Sequence, residues 1–209
     1  MNINNLKIHN ADCMEIMKDY ADDYFDLAVV DPPYGIGRDG GKSGNNWKHY
    51  KQKKWDSTPP KKDYFIELER VSRNQIIWGG NYFTRNLPRS MGWIYWDKGQ
   101  KLSMSDGELA YTSFNRALRS VTLNRCTIRE NGGLLHPTQK PFKLYKWIYT
   151  NYAEPGQKIL DTHLGSGSNA IAAHYADMGE FVGCELDKEY YTAACKRIEN
   201  ETAQLTLGF

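Results

Sequence analysis

Short apolar runs alternate along this chain with segments whose apolar residues recur at helical spacing. Four to eight apolar residues bounded by polar or turn residues are typical of a buried strand, whereas apolar residues at i, i+3, i+4 and i+7 indicate a helix. The pattern predicts strands near 6–9, 25–30, 75–79, 92–96, 109–114, 157–161 and 181–184. It predicts helices near 12–19, 62–71, 142–153, 168–178 and 188–204.

This alternation of strands and helices predicts an α/β fold, with a mostly parallel sheet covered by helices on both faces. At 209 residues the chain has the length of one domain, so we expect a single domain over 1–209. Ligands of such sheets bind at the carboxyl ends of the strands. Asp12, Asp31, Asp161 and Glu185 all end predicted strands, and we therefore expect them to meet at one active site.

The most informative segment is Asp31-Pro32-Pro33-Tyr34, which follows the apolar run 25–30. An acid, two prolines and an aromatic residue suit the exocyclic amine of a nucleobase, whose lone pair is delocalised into the ring. The Asp31 carboxylate and the Pro32 carbonyl can accept the two N–H bonds of the amine, and Tyr34 can stack on the base. The prolines fix φ and contribute no competing donor. The structural alternative is a proline-rich turn that caps a strand.

A glycine loop near the C-terminal end indicates a nucleotide-like cofactor. Gly165-Ser166-Gly167-Ser168 joins the strand ending at Asp161 to an apolar helical run, and glycines there let the backbone approach a ligand. Glu185 ends the next strand and is placed to bind ribose hydroxyls. The loop also satisfies the loose dinucleotide pattern of an oxidoreductase, but hydride transfer would leave Asp31 to Tyr34 without a role.

Six ordered segments together resemble the S-adenosylmethionine-dependent DNA amino-methyltransferases (the N6-adenine and N4-cytosine family), in the permuted β-type motif order. The segments are 8–13, 31–35, 76–82, 136–141, 161–167 and Glu185. The resemblance covers roughly residues 5–35, 62–98 and 134–200. It implies a Rossmann-like three-layer sandwich whose seven-stranded sheet has one antiparallel strand.

The resemblance also implies an activity, a cofactor and a set of site residues. The activity is methyl transfer from S-adenosylmethionine to adenine N6 in DNA, with the base flipped out of the duplex. The catalytic residues would be Asp31, Pro32, Pro33 and Tyr34. The cofactor would be bound by Asp12, Cys13, Asp31, Thr138, Gln139, Lys140, Asp161, His163, Gly165, Gly167 and Glu185. A restriction-modification system is the setting that this family suggests.

Two alternatives and one departure accompany this assignment. Family members that act on cytosine N4 more often have Ser in place of the catalytic Asp, so Asp31 favours adenine. An inactive DNA-binding protein with a methyltransferase fold is the second alternative, against which the intact Asp31 and Glu185 argue. The family usually has Asp-Pro-Phe before the glycine loop, whereas this chain has Asp161-Thr162-His163. We expect the His163 ring to replace the aromatic ring against the cofactor.

The net charge of +2 conceals two basic segments. Residues 38–62 contain eight Lys and Arg against two acids, and residues 85–129 contain eight against three. The first interleaves its lysines with Trp and Tyr, which suits a phosphate backbone and an unstacked base. We therefore expect DNA-contacting insertions near 36–62 and 98–133, away from the cofactor site. The predicted DNA-binding residues are Lys48, Lys51, Lys53, Lys54, Arg116 and Arg119; the alternative is a solvated surface loop.

The remaining features narrow the setting. The four cysteines form no Cys-x-x-Cys pair, so we expect reduced thiols and no metal site. The apolar runs are too short for a transmembrane span, and the first residues do not resemble a signal peptide, which favours the cytoplasm of a bacterial or phage-infected cell. The short DNA-recognition region suggests that a second subunit, in a homodimer, contributes to DNA binding.

Overall fold

The computed structural model describes residues 1–38, 53–99, 105–124, 136 and 138–203. Its strands form one sheet. They are β1 (Asn2–Ile3), β2 (Leu6–His9), β3 (Leu27–Val30), β4 (Gln75–Trp78), β5 (Trp93–Asp97), β6 (Gly107–Thr112), β7 (Arg119–Thr122), β8 (Lys158–Asp161) and β9 (Glu180–Cys184). The helices are α1 (Cys13–Lys18), α2 (Lys62–Val71), α3 (Phe142–Tyr152), α4 (Ser168–Tyr175) and α5 (Lys188–Ala203). A 3₁₀ turn, Gly80–Tyr82, follows β4.

The strand directions determine where a site can form. The order across the sheet is β1-β2-β9-β8-β3-β4-β6-β5-β7. The five strands from β2 to β4 are mutually parallel, so their carboxyl ends share one edge. Strand β6 is antiparallel to both β4 and β5, so β6 begins at that edge and β5 ends there. The edge thus also collects residues from the β5–β6 hairpin.

Alternating side chains of the central strands pack into two separate cores. Leu27 and Val29 of β3 face the core formed with α3, α4 and α5. Ala28 and Val30 face the opposite core, formed with α1 and α2. Both faces of the sheet are therefore covered, which explains why the central strand β3 is an uninterrupted apolar run rather than an alternating one.

The predicted fold class is confirmed, and the predicted strand count is wrong. All seven predicted strands and all five predicted helices are present, with ends that differ by up to three residues. The described part of the chain has nine strands instead of seven, because β1 and β7 also join the sheet. Strand β1 has only two residues, and β7 is largely exposed, so neither has the apolar run that identifies a buried strand. None of the helices in these ranges is long and apolar enough to cross a membrane.

Candidate active site

Four acids lie at the same edge of the sheet, on neighbouring strands. Asp12 follows β2, Glu185 follows β9, Asp161 ends β8 and Asp31 follows β3. They divide into two groups. We call Asp12, Asp161, Glu185 and the glycine loop 165–167 the cofactor edge, and Asp31 with its partners the target-base pocket.

Within the cofactor edge, Glu185 is bound by backbone amides. Its Oε2 accepts a hydrogen bond from the Gly165 amide and its Oε1 accepts one from the Asp187 amide, each 2.9 Å long. Burial raises the pKa of Glu185 to about 6 despite these bonds. A carboxylate has about four lone-pair sites, so Glu185 can still accept two further donors such as the hydroxyls of a ribose.

The glycine loop has a backbone conformation that favours glycine. Gly165 and Gly167 have φ values of +54° and +78°, in the left-handed region. Gly167 is the N-cap of α4 and forms no side-chain cap, so the positive end of the helix dipole lies at the loop. An anionic or polar cofactor group is favoured at this position.

Asp161 is enclosed by protein donors. Its Oδ1 accepts from the His163 amide at 3.0 Å, and its Oδ2 accepts from Asn169 Nδ2 at 2.9 Å. Asn169 in turn accepts from the Tyr149 hydroxyl and donates to the Val29 carbonyl. Burial raises the pKa of Asp161 to about 7. Asp161 thus ties β8 to α4 and β3 and holds the start of the loop.

The other predicted cofactor residues of this edge lie around the same loop. The exposed Asp12 caps α1 by accepting from the Met14 amide, at 2.9 Å. Burial raises the pKa of the neighbouring Cys13 thiol to about 12. The imidazole of His163 packs edge-on against Tyr64, and burial lowers its pKa to about 4, so the ring is neutral at neutral pH.

The target-base pocket is centred on the Asp31 carboxylate, directly after β3. Its Oδ1 accepts from the Tyr34 hydroxyl at 2.7 Å, and its Oδ2 pairs with Lys140 Nζ at 2.5 Å. Burial raises the pKa of Asp31, while the Lys140 ammonium opposes that shift. Lys140, predicted to bind the cofactor, thus has its ammonium on the predicted catalytic residue Asp31.

Sequence reasoning missed two charged residues of this pocket, Glu108 and Lys98. Glu108 Oε2 lies 3.2 Å from Lys140 Nζ, and its Oε1 lies 2.9 Å from Lys98 Nζ. Partial burial alone would raise the pKa of Glu108, but these two ammonium groups outweigh that effect and lower its pKa to about 2. Asp31, Lys140, Glu108 and Lys98 therefore form a continuous chain of alternating charge, with buried lysines and partly buried acids.

Two core tryptophans lie beneath the ammonium groups of this chain. Lys140 Nζ is 5.2 Å from the ring centroid of Trp78, and Lys98 Nζ is 5.4 Å from that of Trp96. The two indoles pack edge to face and are fully buried. Cations over indole faces are stabilised by the ring quadrupole, so the tryptophans support the lysines from below.

The Tyr34 ring is positioned by Gly79 and Tyr82. Gly79 has φ +69°, and a Cβ there would overlap the Tyr34 ring. Tyr82 stacks on Tyr34 with ring centroids 5.0 Å apart and planes 16° apart, and about half of its surface is exposed. An aromatic pair, open to solvent on the Tyr82 side, thus adjoins the Asp31 carboxylate.

The segment before α3 lies between the two groups. His136 is buried between Trp55 and Tyr190, and burial lowers its pKa to about 3. The Thr138 hydroxyl lies 3.1 Å from His136 Nδ1. Gln139 is buried, and its backbone N–H donates to the His136 carbonyl.

The basic residues predicted to contact DNA have differing surroundings. Lys53 pairs with Asp187 at 2.7 Å and Glu189 at 2.6 Å, and it lies over the Tyr190 ring. It therefore adjoins the cofactor edge, and our expectation that its segment lies away from that edge is wrong for Lys53.

Of the other predicted DNA contacts, Lys54 and Arg119 are exposed, and Arg116 lies over Tyr152 and donates to the Asn151 carbonyl. Lys48 and Lys51 are outside the described residues. No group of three potential metal ligands occurs in the described ranges.

Asp56 binds the backbone of the loop that follows Tyr34. The carboxylate accepts from the Gly35 amide at 2.8 Å and the Arg38 amide at 2.7 Å. Its own carbonyl accepts from the Gly37 amide. The side chain is fully buried, so Asp56 fixes the loop that follows Tyr34.

Comparison with known proteins shows that the chain belongs to a recognised family. The family model for DNA methylase, of the N6/N4 methyltransferase type, matches residues 48–196. The type II methyltransferase M.HpaI of Haemophilus parainfluenzae is 24% identical over 91% of this chain and 73% of its own length. The type II methyltransferase M.HinfI of Haemophilus influenzae is 24% identical over 91% of this chain and 67% of its own length.

Solved structures share the fold at low sequence identity. The M1.HpyAVI–SAM complex has a TM-score of 0.62 at 19% identity, with 92% of this chain and 98% of that chain covered. The cytosine-N4-specific PvuII DNA methyltransferase has a TM-score of 0.62 at 15% identity, with 95% and 90% covered. At such identities the likeness concerns the fold alone.

Proposed function

Since this chain belongs to the DNA methylase family, we propose that it transfers the methyl group of S-adenosylmethionine to N6 of adenine in DNA. The family establishes the general activity as DNA methylation. The choice of adenine rests on the identity and surroundings of Asp31.

The observation that carries the proposal is the partly buried Asp31 carboxylate beside an aromatic pair. The exocyclic amine of a nucleobase donates two N–H bonds, and Asp31 accepts at least one of them. Tyr34 lies next to the same carboxylate and presents a ring to a planar base. Aromatic stacking and hydrogen bonds to the base edge are the means by which enzymes hold a flipped nucleotide.

The residues of the cofactor edge fit S-adenosylmethionine. Glu185 offers free lone pairs to ribose hydroxyls, and the uncapped start of α4 lies at the glycine loop. We propose that Asp12, Glu185 and the loop 165–167 hold the nucleoside part, with His163 packed nearby. When bound, this cofactor supplies an electrophilic methyl group. The protein contributes by fixing the orientation of the amine and excluding water, which accounts for a large part of the rate in such transfers.

Cytosine N4 is the alternative target. The matched family includes both types, and the cytosine-N4-specific PvuII enzyme shares the fold. Cytosine presents a comparable amine next to a ring nitrogen, so the same pocket chemistry applies. An Asp in the first position of the motif is the feature of this chain that supports adenine.

We further propose that the basic residues Lys48, Lys51, Lys54, Arg116 and Arg119 contact the DNA backbone. Lys54 and Arg119 are exposed, as phosphate contacts require. Lys53 is assigned instead to the loop beside the cofactor edge, because its ammonium is already paired with two carboxylates there.

The proposal is tested by nucleoside analysis and modified-base sequencing of DNA from a host that lacks its own methylases. The host expresses either the wild-type chain or the Asp31→Ala variant as the matched control. We expect N6-methyladenine within one short sequence in the first culture and none in the second. N4-methylcytosine in its place would overturn the adenine assignment, and no methylated base would overturn the proposed activity.

A further inference from the structure

The catalytic acid of the target-base pocket already has a donor on each oxygen. Tyr34 donates to Oδ1, and the Lys140 ammonium pairs with Oδ2. The Asp31 side chain retains 17% of its exposed surface and that of Lys140 only 3%. Little water is therefore available to replace either donor, and an incoming amine competes with Tyr34 and Lys140 for the same two oxygens.

Both donors have a second acceptor within reach, and it is the same atom. Glu108 Oε2 lies 3.2 Å from Lys140 Nζ and 3.4 Å from the Tyr34 hydroxyl. A small movement toward Glu108 frees Asp31 without leaving a buried cation unpaired. An unpaired buried charge would carry a large penalty, so such an alternative partner is needed for the exchange.

Glu108 itself is kept in place by a different residue. Its Oε1 pairs with Lys98 Nζ at 2.9 Å, and Lys98 is buried over Trp96. Glu108 and Lys98 sit at the start of β6 and just after the end of β5, where the ladder pairs Trp96 with Glu108. The acceptor is thus held at the end of the hydrogen-bonded β5–β6 ladder, whereas Lys140 is a long side chain with several rotatable bonds.

We infer that Glu108 is a positioning residue that takes Lys140 and the Tyr34 hydroxyl from Asp31 when the target base enters, and that Lys140 then donates to the ring nitrogen beside the amine. This inference rests on the proposed function. It adds Lys140 as a residue that recognises the base edge, and Glu108 as the residue that positions Lys140.

The chemistry of the base edge explains the arrangement. Adenine and cytosine both present an amine donor next to an acceptor nitrogen, N1 in adenine and N3 in cytosine. An acceptor, Asp31, and an adjacent donor, Lys140, match that pair. Guanine and thymine present an N–H group at the corresponding ring position, which would face the Lys140 ammonium donor to donor. The pair therefore favours the two bases that carry a suitable amine.

The first test removes the ring nitrogen from the substrate. Duplexes carry the methylated sequence with adenine, 1-deazaadenine or 7-deazaadenine at the target position; for a cytosine target, 3-deazacytosine and 5-methylcytosine are used instead. We expect single-turnover methylation by the wild type to be on the order of tenfold or more slower on the duplex lacking N1, the scale for a lost hydrogen bond to a charged group. The 7-deaza duplex should react at close to the normal rate.

The variant Lys140→Met shows whether this sensitivity comes from Lys140. It should be slow on every duplex and should lose the discrimination between adenine and 1-deazaadenine. The exposed Lys146, on helix α3 shortly after Lys140, provides the matched control Lys146→Met, which should discriminate as the wild type does. Equal wild-type rates on the adenine and 1-deaza duplexes, or full discrimination by Lys140→Met, would overturn the inference.

The second test concerns Glu108. We expect Glu108→Gln to slow single-turnover methylation roughly tenfold or more, because Lys140 then has only Asp31 as a charged partner. S-adenosylmethionine affinity, measured by calorimetry, should stay within about twofold, and the exposed Glu69→Gln serves as control. A normal rate in Glu108→Gln overturns the role of Glu108. If the wild type methylates no DNA at all, the proposed function fails first and this inference falls with it.

Discussion

The carboxylates in the two halves of the site are bound by different kinds of donor. At the cofactor edge, the oxygens of Glu185 and Asp161 accept hydrogen bonds from backbone amides and from the amide of Asn169. In the target-base pocket, Asp31 and Glu108 pair with the ammonium groups of Lys140 and Lys98. A backbone amide is fixed in place by the fold, whereas the ammonium group of a lysine side chain can move between acceptors.

This difference agrees with what each half must do. A cofactor is bound in the same way in each cycle, so a rigid set of donors and acceptors is sufficient. A target base enters from a duplex and must displace the Tyr34 and Lys140 donors from the Asp31 carboxylate. Acids held by lysines can exchange partners while their charges stay compensated, because both Asp31 and Glu108 reach Lys140. The following predictions test this division, from the largest expected effect to the smallest.

The largest effect should come from Asp31→Ala. We expect methylation to fall by roughly 10²-fold or more, since a misplaced reacting group alone can cost that much. S-adenosylmethionine affinity should remain measurable, because the carboxylate lies in the other half of the site. Methylation of labelled DNA and calorimetry with the cofactor check the two parts. Methylation within about tenfold of wild type would remove Asp31 from its assigned role.

The next effect concerns Glu185→Ala at the cofactor edge. We expect S-adenosylmethionine binding to weaken by about 1.5–3 kcal/mol, the contribution of a hydrogen bond to a charged group. Calorimetry on the purified protein measures this directly. The exposed Glu15→Ala variant is the matched control and should bind normally. Unchanged affinity in Glu185→Ala would show that the cofactor does not use this carboxylate.

The third prediction separates Lys53 from the other lysines of its segment. Changing Lys48, Lys51 and Lys54 to Ala together should flatten the plot of log DNA affinity against log salt by about 0.9 for each lost phosphate contact. Lys53→Met should leave that slope unchanged. It should weaken cofactor binding only a few-fold, since a partly exposed ion pair contributes about 1 kcal/mol or less. A salt slope altered by Lys53→Met would return Lys53 to the DNA interface.

The smallest effect concerns pH. The pKa of Glu185 is raised to about 6, and ribose hydroxyls would donate to its ionised form. Affinity for S-adenosylmethionine should therefore be complete well above pH 6 and decline as the pH falls through that value. A single protonation predicts about a twofold loss at pH 6 and about tenfold at pH 5. Glu185→Gln should bind weakly at every pH without this decline, and a parallel decline in the variant would contradict the assignment.

The contrast between the halves also explains what the sequence could predict. The run Leu27–Val30 in β3 and the run 181–184 in β9 are buried on both faces and contain no charged or amide side chain, so they are recognisable locally. Strand ends carrying Asp31 and Glu185 follow from those runs. The edge strand β7, Arg119–Thr122, is mostly exposed and has no apolar pattern to detect.

The target-base pocket was harder to predict, because it is formed by contacts between segments that are distant in sequence. Lys140 precedes α3, whereas Glu108 opens β6, so their pairing depends on the strand order. The available signal was an acid, Glu108, directly before the predicted strand 109–114. The cofactor edge was easier to predict from the loop glycines, because a left-handed backbone conformation favours glycine at those positions.

The contacts of Asp56 determine how the chain segment between Arg38 and Asp56 can vary in length. Its carboxylate and carbonyl tie down the amides of Gly35, Gly37 and Arg38, so the stretch between Arg38 and Asp56 begins and ends at one anchored point. The cost of closing such a stretch grows only slowly with its length. Changes in the length of this segment should therefore leave the positions of Asp31 and Tyr34 unaltered.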